Sequence, residues 1–313
     1  GVLSDATIWA PARVPGIGDQ VCFTTPGSYL VSLTSSAEAG ELTVGSGSMD
    51  GEQRLRTSGG NVNLTLSGDL RVQTGGRFDF SYLLDVSGSV SVNGGLLRMG
   101  SATATVFRSD GPVEVAAAGA LSVQGTLAAP TVLNNGLLRI TARLTIEAGS
   151  VPIQVPLTNT GALVVEEDNI LIEAPSTHTG ATLTVADDKL LRFQNGATHT
   201  FTTVTLGGTG TIEVNGTTTL DAPDLEIPAG LTFELSSGAT FNGGDALTVH
   251  GTLETGFQTT LTGTGMLSVA EGGFVELRST LDGWTLANTG TVDVTEGLTM
   301  QNAELVNDGT LIL

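Results

Sequence analysis

The sequence has little cysteine, lysine or aromatic content. Cys22 is the only cysteine among 313 residues, so an internal disulfide is excluded. We interpret its thiol as a small, buried strand residue. Lys189 is the only lysine, and aromatic residues make up 4% of the chain. No apolar run is long enough for a transmembrane helix, so membrane insertion is not expected.

Positive charge is also scarce. The chain has 32 acidic and 12 basic residues, which gives a net charge of −20. A protein that binds nucleic acid needs lysine and arginine to neutralise phosphates, so nucleic acid is excluded as a partner. An anionic membrane surface would repel the chain for the same reason. The acidity is typical of a soluble, self-repelling surface.

A short phrase recurs along the chain and predicts its architecture. It contains asparagine, one further residue, glycine and alternating apolar residues, and it begins at Asn134, Asn159, Asn288 and Asn307. Glycine favours a turn, and the alternation that follows sends every second side chain inward from a half-buried strand. Each copy is therefore predicted to be a turn followed by a strand.

The spacing of these phrases favours a solenoid over a hairpin meander. Looser copies keep the glycine, and Gly68 and Gly88 lie 20 residues apart while Gly136 and Gly161 lie 25 apart. A meander would repeat about every ten residues, whereas a coil returns to the same wall once per turn. The sequence predicts an all-β, single parallel β-helix of roughly fifteen rungs, with no second globular domain.

The first 45 residues differ from the repeats. We expect residues 1–45 to form an N-terminal cap with the first strands, and residues 46–313 to form the solenoid body. Because the first rung of a solenoid exposes unpaired backbone groups, bulky and rigid residues are needed there. The predicted N-terminal assembly interface contains Trp9, Pro11, Pro15, Val21 and Phe23.

The opening segment also carries a resemblance. Trp9, the stretch Pro15-Gly16-Ile17-Gly18-Asp19, Val21 and the later Tyr29-Leu30-Val31-Ser32-Leu33 resemble the start of repetitive bacterial surface proteins, such as autotransporter passengers and large adhesins. The resemblance covers about the first 45 residues by pattern, and the remainder only by repeat style. It implies a secreted β-helix and identifies no ligand.

The two ends of the sequence suggest export and assembly. The chain begins at Gly1 without a signal-like segment, so we expect any secretion signal to be already removed or not included. The final phrase, which runs from Gly309 to Leu313, stops in mid-strand. Two explanations remain open: the sequence is part of a longer array, or the open rung stacks on the next subunit. For stacking, the predicted C-terminal interface contains Leu305, Leu311, Ile312 and Leu313.

Acidic clusters are the main candidates for chemistry. Glu166, Glu167 and Asp168 precede Asp187 and Asp188 by about one rung, so the two groups could lie close together. Their oxygen atoms suit calcium, although the glycine-rich calcium repeat is missing, and no other cofactor is implied. The phrases typical of pectin-degrading β-helix enzymes (Asn-x-Asp, Gly-His-Gly and Arg-x-Lys) are absent. We interpret these carboxylates as solvated turn residues and expect no catalytic residues.

Histidine and threonine give weaker signals. His178 and His199 lie 21 residues apart in similar contexts, and we expect exposed turn positions on adjacent rungs, because no third metal ligand has supporting spacing. Thr-x-Thr phrases such as Thr103-Ala104-Thr105 and Thr203-Val204-Thr205 raise an ice-binding alternative. Their spacing is too erratic for a flat array, and threonine is a good strand residue.

These observations favour a non-enzymatic, secreted protein located outside the cell or on its surface. In this hypothesis the chain is a β-solenoid subunit of a fibre or stalk, and it associates with itself head to tail. One alternative is an adhesin fragment that binds glycans or another cell surface through loops near residues 100–118 and 166–190. The other is a polysaccharide-cleaving enzyme that uses Asp187 and Asp188.

Overall fold

The structure is a computed structural model that describes most of the chain. It describes all residues except 1, 4, 6, 8–12, 59–60, 100–104, 124–125, 130–131, 135–136, 141–149, 154–155, 167–168, 195 and 296. The chain divides into two compact units: unit 1 contains residues 1–151 and 155–162, and unit 2 contains residues 152–154 and 163–313. The boundary falls within β18 (Ser150–Ile153) and β20 (Ala162–Val165). The predicted cap at 1–45 concerns unit 1 and stays a prediction.

Unit 1 consists of three walls of parallel strands, numbered in chain order, and successive strands visit the three walls in turn. The first wall contains β1 (Gln20–Phe23), β4 (Glu41–Val44), β7 (Leu70–Gln73), β10 (Val90–Asn93), β13 (Val113–Val115), β16 (Val132–Asn134) and β19 (Leu157–Asn159). The second contains β2 (Tyr29–Leu33), β5 (Gln53–Thr57), β8 (Gly76–Phe80), β11 (Leu96–Met99), β14 (Ala120–Val123) and β17 (Leu137–Ile140). The third contains β3 (Ala37–Ala39), β6 (Asn63–Leu66), β9 (Leu83–Val86), β12 (Val106–Ser109) and β15 (Thr126–Ala128).

Unit 2 repeats this plan with walls A, B and C. Wall A contains β22 (Ser176–Thr179), β25 (Thr198–Thr202), the first halves of β28 (Thr219–Ile227) and β30 (Thr240–Val249), then β32 (Thr260–Thr262), β35 (Thr280–Asp282) and β38 (Thr299–Gln301). Wall B contains β23 (Thr182–Val185), β26 (Thr205–Gly208), the second halves of β28 and β30, then β33 (Met266–Val269), β36 (Thr285–Asn288) and β39 (Glu304–Asn307). Wall C contains β21 (Asn169–Ile172), β24 (Leu190–Phe193), β27 (Thr211–Val214), β29 (Thr232–Leu235), β31 (Thr252–Thr255), β34 (Phe274–Leu277), β37 (Thr291–Val294) and β40 (Thr310–Ile312).

The predicted fold class is confirmed as an all-β parallel β-solenoid, and the chain forms about twelve turns. The roughly fifteen rungs expected from the repeat assume that every turn contains ~20 residues. Many turns are longer, so the chain forms fewer of them. For example, Leu42 pairs with Leu70, an offset of 28 residues, and Val90 pairs with Val113, an offset of 23. Among the described residues, no helix is long and apolar enough to cross a membrane.

Two segments that we expected to be projecting loops contain strands instead. The range 100–118 includes β12 and β13, and the range 166–190 includes β21, β22 and β23. If Gly88 and Gly119 both preceded strands of one wall, the 31 residues between them would predict an insertion. Gly88 precedes β10 on the first wall, whereas Gly119 precedes β14 on the second. Their separation therefore measures more than one turn, and it does not indicate a protruding loop.

The prediction for Cys22 was wrong. Its side chain is exposed on β1, while its neighbours Val21 and Phe23 are buried. Alternation along the strand decides this, because inward-facing residues at 21 and 23 force residue 22 outward.

The interior of unit 1 is apolar and includes stacked aromatic rings. Phe78 and Phe80 of β8 have ring centroids 5.6 Å apart, and Phe80 lies 5.9 Å from Phe107 of β12 in an edge-to-face arrangement. All three side chains are fully buried. Such pairs add to the stabilisation that burial itself provides.

The interior of unit 2 accommodates a tryptophan over glycines. Trp284, between β35 and β36, is 1% exposed, and its ring lies 6.2 Å from that of Phe241. A Cβ atom at Gly263 would lie 2.5 Å from indole carbons, and one at Gly243 would also overlap the indole. Both positions therefore lack a side chain so that the bulky indole can pack against the backbone of preceding turns.

This packing predicts that Gly263→Ala destabilises the protein by about 1–3 kcal/mol, the usual cost of overfilling a close-packed interior. Urea unfolding followed by circular dichroism measures the change. Gly207→Ala in β26 is the control, because its Cβ atom would meet only the Thr184 hydroxyl, at 3.7 Å. Equal stability of the two variants would contradict this account of Trp284.

Candidate functional site

The predicted N-terminal interface residues are only partly at the surface. Val21 and Phe23 are 2% and 5% exposed, so they belong to the interior of unit 1, and Pro15 is half-buried. Trp9 and Pro11 lie outside the described residues. The first turn is partly covered, since Val2 forms a parallel bridge with Ser32 of β2, whose carbonyl oxygen accepts a 2.9 Å hydrogen bond from the Leu3 amide.

The segment before β1 is held by one carboxylate. Both terminal nitrogens of the Arg13 guanidinium donate to Asp19, one of them over 2.7 Å, and the Gly16 amide donates to it over 2.8 Å. The hydrogen bonds from Arg13 and Gly16 lower the pKa of Asp19. The proline- and glycine-rich stretch that carries the sequence resemblance is thus a turn organised around Asp19.

The C-terminal residues form an open edge of the solenoid. β38, β39 and β40 pair with β35, β36 and β37, and within the described part of the chain no strand pairs with their other edge. Leu305 and Leu311 continue the interior columns of Leu286 and Val292. Leu305 is 39% exposed, whereas Leu286 beneath it is 1% exposed. The edge therefore displays interior side chains and unpaired backbone groups together.

The other predicted C-terminal residues have different positions. Ile312 stacks above Asp293 on the outward side of wall C, so it does not line the open interior. Leu313 is 91% exposed. Met300 was missed by sequence reasoning, although it stacks above the buried Leu281 and is 37% exposed. Its position directly after Thr299 acquires meaning only once β38 is placed over β35.

The recurring asparagine forms a side-chain contact between turns, which we call the amide clamp. In unit 1, Asn134 Nδ2 donates to Asn159 Oδ1 over 2.8 Å and to the Ala162 carbonyl over 3.1 Å. In unit 2, Asn288 Nδ2 donates to Asn307 Oδ1 over 2.6 Å and to the Thr310 carbonyl over 2.9 Å. The acceptor carbonyl lies three residues after the second asparagine in both cases, so the recurring phrase has a physical role.

Asn307 occupies the position of a clamp donor at the open edge. Its Nδ2 makes a 3.3 Å contact with the carbonyl of Gly309, two residues away in its own turn. Asn288, one turn below, uses the same nitrogen to bind the following turn twice. A further parallel turn carrying the same phrase would therefore find a matching donor at Asn307.

A second regular feature is a column of acidic side chains on the outward side of wall C, which we call the carboxylate column. Register stacks its members on successive strands: Glu213, Glu234, Glu254, Glu276 and Asp293. Arg192 donates to Glu213 over 2.6 Å, and Arg278 forms an ion pair with Glu276. The arginines therefore offset charge at two places in the column and leave Glu254 between two acidic neighbours.

The position of Glu254 perturbs its ionisation. Partial burial, followed by the charges of Glu234 and Glu276, raises its pKa above the ordinary value, and Arg278 opposes this shift. The folded chain thus holds this proton more tightly than the unfolded chain does. Glu254 lowers stability progressively as pH rises from about 4.5 through the raised pKa, and the full penalty is present at neutral pH.

The predicted calcium candidates are only partly described. Asp187 and Asp188 form the turn before β24, and Asp188 has a positive φ of 56°. Glu166 follows β20, whereas Glu167 and Asp168 lie outside the described residues. In the part of the chain that the structure describes, no group of three or more His, Cys, Asp or Glu side chains could hold a metal ion.

The expectation of exposed histidines was wrong. His178 on β22 and His199 on β25 are both fully buried inside unit 2. They lie on adjacent turns as expected, but register pairs Ser176 with His199 and His178 with Phe201. The threonines that flank each histidine suggested a polar turn, whereas in a strand they face outward and send the imidazole inward.

A threonine column on wall A was missed by sequence reasoning. Its six members occupy one register position on successive strands: Thr198, Thr219, Thr240, Thr260, Thr280 and Thr299. Within the described structure, none of their hydroxyls forms a hydrogen bond with another protein group. Their spacing of 19 to 21 residues was a usable signal. Of the threonines considered from sequence, Thr203 lies at a corner with positive φ, and Thr103 lies outside the described residues.

The carboxylate column predicts that Glu254→Gln stabilises the protein at pH 7 by about 0.5 kcal/mol, the scale of a cross-strand pair of like charges. The substitution removes the charge that its neighbours oppose. The gain should disappear below about pH 4, where the carboxyl group is protonated in both states. Thermal unfolding at pH 7 and pH 4 measures it.

Glu304→Gln is the control for this experiment, because Glu304 is exposed on β39 and stacks over Thr285. It should change stability by less than Glu254→Gln at pH 7. A Glu254→Gln variant that is less stable than the original chain at pH 7 would show that repulsion in the column is not the dominant interaction.

Comparisons with family models, with curated proteins and with solved structures find no match to this chain, so the function has to be argued from its own residues.

Proposed function

We propose that this chain is a non-enzymatic, extracellular structural β-solenoid that associates with further copies of itself head to tail. The observation that carries the proposal is the geometry of β38 to β40, where Asn307 is positioned to donate an amide clamp to a parallel turn placed on these strands. A second copy whose backbone pairs in parallel with this edge would cover Leu305 and Leu311 and extend the strand pairing.

The outward walls support a structural role. On wall C, Arg192 pairs with Glu213 and Arg278 with Glu276. The Ser236 hydroxyl oxygen lies 2.7 Å from Glu213 and 2.8 Å from Glu234, and its single proton is donated to one of these carboxylates at a time. Wall A presents the threonine column in one register. The amide clamps and the pair between Arg192 and Glu213 connect neighbouring turns, which is what a fibre or stalk requires. We include secretion and a cell-surface location in the proposal because the opening segment resembles the start of repetitive bacterial surface proteins.

The N-terminal side belongs to the proposal as well. We assign residues 1–45 to a cap over the first turn, supported by the bridge between Val2 and Ser32 and by the buried Leu3 side chain. Head-to-tail contact requires the incoming edge of β38 to β40 to displace this bridge from β2. Displacement of this bridge makes association slower than contact between two uncovered edges.

Leu305→Lys is expected to weaken association at least about tenfold, because an ammonium group without a partner would be buried in the new interface. Sedimentation velocity over a range of concentrations measures association, and electron microscopy shows whether the assemblies are linear. Met266→Lys is the matched control, since Met266 is 46% exposed on wall B, away from the edge.

A chain that stays monomeric at the highest concentration would overturn head-to-tail association, and so would equal association of the two lysine variants. The non-enzymatic part has a separate test. Release of reducing ends from polysaccharides, lost on replacing Asp187 and Asp188 by Asn, would contradict it and would favour the enzyme hypothesis.

A second candidate function, binding of a glycan or another cell surface, is favoured by the threonine column. Six outward hydroxyls without protein partners, at the ~4.8 Å spacing of stacked strands, could hydrogen-bond to a regular polymer. Pull-down on insoluble polysaccharides tests this. Binding should be lost in Thr240→Lys and kept in Thr252→Lys, whose substitution lies on wall C. Equal binding of both variants would exclude wall A as the surface.

A further inference from the structure

Unit 2 contains a buried polar cluster that the structural role does not require, which we call the histidine pair. Ser176 Oγ lies 2.9 Å from His178 Nε2 and 2.8 Å from His199 Nδ1, so it bridges two imidazoles on adjacent turns. Ser176 is 3% exposed and both histidines are fully buried. An apolar pair of similar volume would fill this space without polar groups to satisfy.

Proton counting shows that this bridge operates with neutral imidazoles. The Ser176 hydroxyl has one proton, so it donates to one imidazole and accepts a hydrogen bond from the other. One ring therefore presents a bare nitrogen to the serine and the other presents an N–H group. His199 Nε2 has no hydrogen-bond partner among the described residues. A proton added to His199 would place a charged ring there with this nitrogen unsatisfied.

The surroundings of the pair are aromatic. The ring of Phe193 on β24 lies 4.8 Å from that of His199 and 5.8 Å from that of His178, and Phe201 lies 5.2 Å from His178. These rings contact the imidazoles edge to face and offer no carboxylate. A neutral imidazole packs favourably against these rings. An imidazolium cation would need ring faces to stabilise its charge, because no carboxylate of the described residues faces it.

The strands packed around the pair contribute no opposite charge to the interior. Their buried, inward-facing residues are apolar: Ile170 and Ile172 on β21, Leu183 and Val185 on β23, Leu191 on β24, Ile212 and Val214 on β27, and Leu220 and Ala222 on β28. The charged groups of these described strands face outward. Arg192 on β24 pairs with Glu213 on β27, and Asp221 on β28 accepts from Asn242.

Burial and mutual repulsion therefore oppose protonation of the pair. Burial, and then the charge of His199, lowers the pKa of His178 to about 3, and burial lowers the pKa of His199 to about 4. Unfolded histidine takes up a proton near pH 6.5. The unfolded chain thus binds more protons than the folded chain below that value, and stability falls as pH decreases from about 6.5 towards 4.

We propose that the histidine pair, bridged by Ser176, is an acid-sensitive lock on the section of unit 2 between β22 and β25, which opens when the imidazoles bind protons. At neutral pH the neutral rings connect two turns through one hydroxyl. Protonation converts the ring nitrogen that accepts from Ser176 into an N–H donor, so the hydroxyl loses its acceptor. Two protonated rings also place two like charges in an apolar interior. This section then separates before the turns that follow it.

Amide hydrogen exchange measured by mass spectrometry at pH 7.5 and pH 5 tests the lock. The expected result is a fall in the protection factors of residues 176–202, by roughly 30-fold for each imidazole that titrates between an unfolded value near 6.5 and the lowered folded values. Residues 232–255, which contain β29 and β31, should keep their protection over this range.

The double variant His178→Gln and His199→Asn keeps the hydrogen-bonding geometry without groups that ionise in this range. Glutamine presents a polar atom near the position of Nε2, and asparagine near that of Nδ1, so both can still bind Ser176. Its protection in residues 176–202 should be the same at both pH values. His250→Gln is the control, because His250 is the exposed histidine beside Glu226, and it should behave like the original chain.

Hydrogen–deuterium exchange at the imidazole C2 position of the unsubstituted chain gives a second measurement that does not depend on a variant folding. His178 and His199 should titrate below pH 5. The proposal is overturned if either buried histidine titrates near 6.5 in the folded chain. It is also overturned if residues 176–202 keep the same protection as residues 232–255 at pH 5.

Discussion

The structure depends on one constraint: parallel strands stack in register, so each side chain lies about 4.8 Å from the equivalent side chain of the next turn. Chemically similar residues therefore form columns along each wall. Inward columns of leucine, valine and phenylalanine exclude water from the interior. Outward columns bring like groups together whether or not their contact is favourable. The stability of each turn then depends on whether the stacked side chains in its columns attract or repel one another.

The columns of unit 2 differ in how their stacked side chains interact. Threonines tolerate stacking because hydroxyl and methyl groups do not repel one another. Carboxylates repel, and the column on wall C offsets this with Arg192 at one point and Arg278 at another. Asparagine gains from stacking, because its side chain is both donor and acceptor and can form the amide clamp from one turn to the next. The same geometry thus converts three residue types into three kinds of contact.

The proposed functions follow from where the columns are left incomplete. At β38 to β40 apolar, amide and backbone groups are exposed together, so a parallel turn placed on these strands would extend all three columns. Inside unit 2 the apolar column is interrupted by two imidazoles and a serine, whose hydrogen bonds hold only while both rings are neutral. The open edge bears on assembly, and the histidine pair bears on the pH range over which the turns stay together.

Sequence alone determined the fold class, because the period-two alternation and the recurring glycine are local signals that every copy repeats. It also identified Asn134, Asn159, Asn288 and Asn307 as special, although their hydrogen bonds depend on register. Tertiary structure decided which side of a strand each residue faces and what lies above it. For that reason Cys22 was predicted buried and is exposed, His178 and His199 were predicted exposed and are buried, and the columns of threonine and glutamate became visible only when the turns were stacked. Local alternation determines only that neighbouring side chains face opposite sides of a strand. Which of the two sets faces the interior, and which residue of the next turn each side chain meets, depend on turn lengths that vary too much for sequence spacing to determine.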